Sequence, residues 1–233
     1  MTLTKHKSAT VSEVEGKGAR LDRRAQRTRQ RIDAAFVELL HRRAYGNIRV
    51  SDITRKADVG RATFYAHYSS KDDLLRSQFN RMVAPMLAVR TSDACPLDAS
   101  AFFAHVLSAP KIYKALTGPH AGGAPRVLRE CFELRAEAAL ALRGEGSDTV
   151  AGGFNQQQAI LTRFVAASLL TVIECSIETN AGESASHLQA VFGGLVGGGL
   201  SAFGAGWKEG TRLTAVKSAV RVTYESERGS YAL

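Results

Sequence analysis

The stretch "SDITRKADVGRATFYAHYSSKDDLL", residues 51–75, sets four basic residues, three aromatics and one glycine into two short helical patterns separated by a tight turn. Val50, Ile53 and Ala57 make the inward face of the first pattern, with Ser51 as its expected N-cap. "ADVG" supplies the turn, where Gly60 suits a sharp backbone bend, and a third helix starts near Arg61. Phe64 and Tyr68, four residues apart, share a face that suits packing. Arg61, Thr63, Tyr65 and His67 are left pointing away from it. "SSKDDLL" opens a further helix with Ser70 as N-cap and Asp72 and Asp73 in the first turn, where the helix dipole favours acids.

Outward from this stretch, Ile32, Ala35, Phe36, Leu39 and Leu40 form one apolar stripe on a preceding helix expected from about Arg20 to "RRAYGN", with Gly46 as its cap. An arginine run over 20–31 occupies the other side. Residues 1–90 hold 19 Lys or Arg and 9 Asp or Glu, so their net charge is 19 − 9 = +10. The whole chain carries +9, which leaves −1 for the rest. Such asymmetry points to an N-terminal part that meets a polyanion and a neutral remainder.

Helix, short turn and helix on a basic bundle is the helix-turn-helix arrangement, whose second helix enters the major groove of DNA. Arg61 can donate bidentately to guanine, and Thr63 can hydrogen-bond a base or touch a thymine methyl. Tyr65, His67, Ser51 and Lys71 offer groups to phosphate, sugar or base. Arg27 and Thr28 on the first helix add backbone contacts that weaken as salt rises.

Residues 23–75 resemble the tetracycline-repressor (TetR) family of bacterial transcription regulators. The likeness rests on Ile53, on Ala57 before the turn, on Thr63-Phe64-Tyr65, and on Tyr68 ahead of Ser70-Lys71. Gly60 departs from the Ser or Thr common in the family at that place, so a side-chain contact usual there is lost. The resemblance implies an all-α homodimer with a small DNA-binding domain and a larger C-terminal domain for dimerisation and ligand binding. It implies a palindromic operator and release by a small-molecule effector. The expected division is an unstructured arm over 1–19, a DNA-binding domain over 20–70 and a helical regulatory domain over 71–233.

Beyond residue 75, "DASAFFAHVLS", "KIYKALTG" and "RVLRECFELRAEAALALR" read as successive helices, followed by long apolar helices over 156–178 and 184–206. A stripe that apolar must be buried. A four-helix dimer interface is the preferred partner, with Leu161, Val165, Leu169, Val172, Phe192, Leu195, Val196 and Gly197 as its residues. Phe102, Phe103, His105, Tyr113, Phe132 and Phe164 are the candidates for a ligand pocket.

No metal-ligand spacing, nucleotide-binding glycine loop or nucleophile elbow appears, so the chain is read as no enzyme and no cofactor is expected. Three scattered cysteines and the lack of an apolar leader fit the cytoplasm. The most apolar stretch, 159–177, contains Arg163 and Glu174, and the basic arm lacks an anchoring apolar face, so no membrane partner is expected. A ligand-independent regulator or activator remains the alternative, with an enzyme a distant third.

Overall fold

The computed structural model describes residues 11–91, 94–142, 156–179 and 182–208. Helix α1, Val11–Leu40, exists because Ile32, Ala35, Phe36, Leu39 and Leu40 recur on one face, and all five are buried. It starts at Val11, so the expected unstructured arm is helical from that residue onward; residues 1–10 lie outside the described part. The segment 11–19 contains Glu, Lys, Val and Ala among its glycines, and it continues a helix already secured further along.

The end of α1 also differs from expectation. The helix stops at Leu40, and Gly46 belongs to a separate 3₁₀ turn, Tyr45–Asn47. Helix α2, Val50–Ala57, is capped by Arg49 rather than Ser51: the Arg49 N–H donates to Asp52 Oδ2 at 2.9 Å. An acid three residues into the helix satisfies the cap's own donor, which shifts the start by two positions. The turn after α2 places Asp58 in the left-handed region at φ 51°, whereas Gly60 is extended at φ −71° and serves as N-cap of α3, Arg61–His67. The bend is thus made by an aspartate, a residue that tolerates that conformation.

Helix α4, Lys71–Gln78, is capped as expected, with Ser70 Oγ accepting the Asp73 N–H at 3.0 Å. It runs into a π-helical turn, Phe79–Val83, and a 3₁₀ turn containing Pro85. A two-residue antiparallel pairing, β1 Ala88–Val89 with β2 Leu97–Asp98, follows. It is too short for any periodicity to reveal. Helices α5 Ser100–Ser108, α6 Pro110–Thr117, α7 Ala124–Leu142, α8 Gln156–Thr179 and α9 Ala185–Lys208 complete the all-α architecture. One buried cluster runs through every layer, from Ile32 on α1 to Val196 on α9.

The long helices pack by a different face from the one expected of a dimer interface. Leu161, Val165, Leu169, Val172, Phe192 and Val196 are buried within the subunit. Gly197 also faces inward, since a Cβ there would lie 2.9 Å from Ala94 Cβ. Of the eight residues named, Leu195 alone is exposed, at 52%. The outward surface carries Ile160, Phe164, Val191 and Leu195, with Gly194 and Gly198 facing open space. Both faces of α8 and α9 are apolar, so periodicity finds the helices but not which face turns inward. Helix α8 has the length and composition to cross a membrane, yet over half of its most apolar stretch is buried inside the protein, as in a core helix.

Candidate nucleic-acid interface

Two aromatics hold α3 in place. Phe64 is fully buried, its ring 5.9 Å from that of Tyr68. Tyr68 is itself buried, and its hydroxyl donates to Asp33 Oδ1 on α1 at 2.7 Å. Arg29 Nε donates to the same hydroxyl at 3.3 Å, and Arg81 pairs with the other Asp33 oxygen. Burial, then the Asp33 hydrogen bond, raises the Tyr68 pKa above its ordinary value, so the phenol remains a neutral donor. At the other end of α3, Arg31 reaches Asp58 in the turn, donating to Oδ2 at 2.9 Å and to the backbone oxygen at 2.8 Å. Helix α1 therefore braces α3 at both ends.

On the opposite side, Arg61, Thr63 and Tyr65 are exposed together, as expected, and Tyr65 is 47% accessible. The Arg61 guanidinium lies 5.9 Å from the centre of the Tyr65 ring, one helical turn away. This stacking holds a flexible cation over an aromatic face without burying it. Ser51 is exposed near the start of α2. His67 is half-buried against Tyr68, with ring centres 6.5 Å apart. Arg27 is exposed on α1, while the Thr28 hydroxyl donates back to the Arg24 carbonyl at 3.0 Å.

The Lys71 side chain is turned inward. Its ammonium donates to the Tyr45 and Ile48 carbonyls at 2.8 and 2.7 Å and lies 4.0 Å from the Tyr45 ring centre. Desolvation lowers its pKa from the usual lysine value. Its role in the structure is to close the 3₁₀ turn, and only its backbone N–H, in the first turn of α4, remains suited to a phosphate. Asp33 and Asp58 carried no sequence signal of their role, and Arg31 was legible only as part of the arginine run, not as a brace. The four-residue spacing of Arg29 and Asp33 was visible, but their aromatic partner sits 35 residues or more away.

Besides the Asp33–Arg81 pair and the Lys71 bonds, the first three helices meet the remainder through two further contacts. Gly46 N–H donates to the His120 carbonyl at 3.0 Å, backbone against backbone. Tyr45 Oη donates to Asp72, which pairs with Arg126 of α7 at 3.0 Å; beside it Arg76 pairs with Glu130 at 2.8 Å. These exposed pairs fix orientation more than they add stability. Between the same elements lies an apolar cavity of about 130 Å³, lined by Phe36 and Leu40 of α1, Gln78 at the end of α4, Phe102 and His105 of α5, and Tyr113 of α6, among others. Of the expected pocket residues, Phe102, His105 and Tyr113 line it. Phe103 and Phe132 are buried without lining it, packing on Phe192 and Phe102 respectively. Phe164 lies across α9 at Gly199, where no side chain interposes. Among the described residues no cluster of His, Cys, Asp and Glu could hold a metal.

Residues 32–77, which span this whole constellation, match the family model of bacterial regulatory proteins of the tetR family. An 81-residue segment, 34% of the chain, is 40% identical to the uncharacterized HTH-type transcriptional regulator YxbF of Bacillus subtilis (strain 168). The match spans 21% of that protein's length. Among solved structures, the dihydroxyacetone kinase operon activator DhaS is 18% identical, covers 76% of this chain and 97% of its own, and superposes with a TM-score of 0.44. A TetR transcriptional regulator from Streptococcus agalactiae 2603V is 21% identical, covers 77% and 98%, and gives 0.42.

Proposed function

From the premise that residues 32–77 are a tetR-family DNA-binding domain, we propose that the chain is a ligand-responsive transcriptional repressor that binds a palindromic operator as a homodimer. One observation carries the DNA reading: Arg61, Thr63 and Tyr65 stand exposed on a short helix whose other face is fully buried. Arg61, steadied on Tyr65, reads base edges, and Thr63 contacts a neighbouring base. Ser51, Gly60, His67, the Lys71 N–H, Arg27 and Thr28 set the position on phosphate and sugar. Arg24 and Arg27, exposed on α1 ahead of the braces at Arg29 and Arg31, add salt-dependent attraction.

The test compares a duplex from the chain's own upstream region with a scrambled duplex across a salt series. Wild type is expected to prefer the native duplex, and Arg61→Ala to lose about 1–3 kcal/mol of that preference while its salt dependence falls only slightly. Equal binding of wild type to both duplexes at every salt concentration counts against this operator. If no genomic fragment is preferred either, the sequence-reading role is wrong.

The homodimer reading draws on the outer face of α8 and α9. Ile160, Phe164, Val191 and Leu195 form an apolar surface, and Gly194 and Gly198 allow another helix to approach closely. Leu195→Glu is expected to convert a dimer to a monomer in sedimentation, with circular dichroism unchanged. A Leu195→Glu protein that still sediments as a dimer would place the interface elsewhere. The cavity adjoining α1 supports the effector reading, because a ligand there would touch the helix that braces the recognition helix.

A further inference from the structure

The apolar cavity contains one chemical anomaly. Gln78 lines it, and its Nε2 is buried with no hydrogen-bond partner among the described residues. A buried amide donor left without a partner loses its hydration with nothing in return, so its persistence calls for an explanation. The remaining lining, Phe36, Val37, Leu40, Leu75, Phe79, Met82 and others, is apolar except for His105 and Tyr113, and holds no lysine, arginine or carboxylate. Tyr113 stays protonated, since burial pushes its phenol well above the ordinary value. The site thus offers largely apolar walls, an unused N–H and no permanent charge, with His105 the one lining side chain able to take up positive charge.

Its size limits the occupant. About 130 Å³ is close to the roughly 150 Å³ of an engineered apolar cavity that takes up benzene. A single six-membered ring fits, and a fused ring system does not. A way in exists as well. Val37, Gln78 and Met82 also line an open groove of about 530 Å³ on the outer surface, and Met82 is largely exposed. Met82 therefore forms part of the wall between groove and cavity, and its unbranched side chain can swing aside. Gln78 sits where α4 gives way to the π-helical turn Phe79–Val83, a local widening of the helix of a kind often found at functional sites.

We propose that this cavity binds a compact, neutral, single-ring carbonyl compound, apolar except for one oxygen that accepts the Gln78 Nε2–H. The inference gives the effector of the regulatory reading its chemical class, and it rests on that reading only for the consequence on DNA. Occupancy itself can be measured without DNA, so either can fail alone.

The probes are cyclohexanone, methylcyclohexane of similar shape without the acceptor, and cyclohexanecarboxylate with a charge. Binding to the full chain is followed by thermal shift and by the Gln78 side-chain amide resonances. Cyclohexanone is expected to bind saturably, move those resonances, and bind about three- to tenfold tighter than methylcyclohexane, the worth of one net hydrogen bond. Cyclohexanecarboxylate is expected not to bind. In Gln78→Leu the preference for cyclohexanone is expected to vanish while methylcyclohexane still binds, and the unliganded melting temperature to hold or rise. A merely structural Gln78 would instead lower it. The proposal is overturned if no probe gives a saturable shift, if the carboxylate binds best, or if Gln78→Leu keeps the wild-type preference.

Discussion

Phe64→Ala is expected to abolish DNA binding without removing any group that reaches DNA. Phe64 is fully buried, with its ring 5.5 Å from Tyr65 and 5.9 Å from Tyr68. Truncating a buried phenylalanine to alanine costs about 3–5 kcal/mol, from lost transfer energy and the cavity left behind. At about 2–4 °C per kcal/mol for a chain of this size, melting should fall by roughly 10 °C. A seven-residue helix has no independent stability, so α3 loses its register when Phe64, the buried residue within it, goes and only Tyr68 at its end remains as an anchor. The neighbouring Tyr65→Ala should do the reverse: melting within about 0.5 kcal/mol of wild type, as for an exposed site, but specific DNA binding lost. Calorimetry and the two-duplex titration on both variants check the pair. A Phe64→Ala protein that melts like wild type, or a Tyr65→Ala protein that still prefers the native duplex, would reverse the assignment of the two faces.

That contrast shows what the sequence made legible. Helix α3 could be read because both of its faces declare themselves within eight residues: Phe64 and Tyr68 at a four-residue step inside, Arg61, Thr63 and Tyr65 outside. The long helices α8 and α9 could be placed for the same reason, yet their interface could not. Periodicity loses its power where both faces of a helix are apolar. Val165 and Leu195 look alike in such a pattern, and only packing against α7 and α5 decides which is covered. Lys71 was misjudged because the carbonyls that hold it, on Tyr45 and Ile48, lie 26 and 23 residues away. A lysine in the first turn of a helix looks exposed until the chain folds back on it. Of the aromatic residues expected at a pocket, half do line a cavity, but Gln78, the lining side chain with an unpaired donor, carried no sequence signal at all. Its distinction is an absent hydrogen bond, which exists only once the surroundings are assembled.

Gly46→Ala is the change expected to loosen the N-terminal helices against the rest of the chain. A Cβ at this position would lie 2.6 Å from the His120 carbonyl oxygen and 3.2 Å from the Gly122 nitrogen. Both are backbone atoms, so no rotamer change relieves the clash. The other side is equally constrained: Gly122 has φ +59°, and a Cβ there would come within 3.0 Å of Gly46 Cα. Two glycines are needed because two backbones touch, and the contact is sealed by the Gly46 N–H bond to His120. An added methyl must push the loop away and break that bond, at an expected cost of about 2 kcal/mol, within the usual range for overpacking. Melting should fall by roughly 4–8 °C at the per-kcal shift typical of this chain length. Hydrogen exchange at residue 46 should accelerate, while the amide of Phe64, bonded to the Gly60 carbonyl inside the reading domain, keeps its protection. Affinity for a single half-site should then persist, whereas affinity for a two-half-site operator falls, because a dimer holds its reading heads at one spacing only if each head is fixed to its own body. Unchanged melting together with a protected amide at residue 46 would mean that the contact yields freely and does not set the position of the reading head.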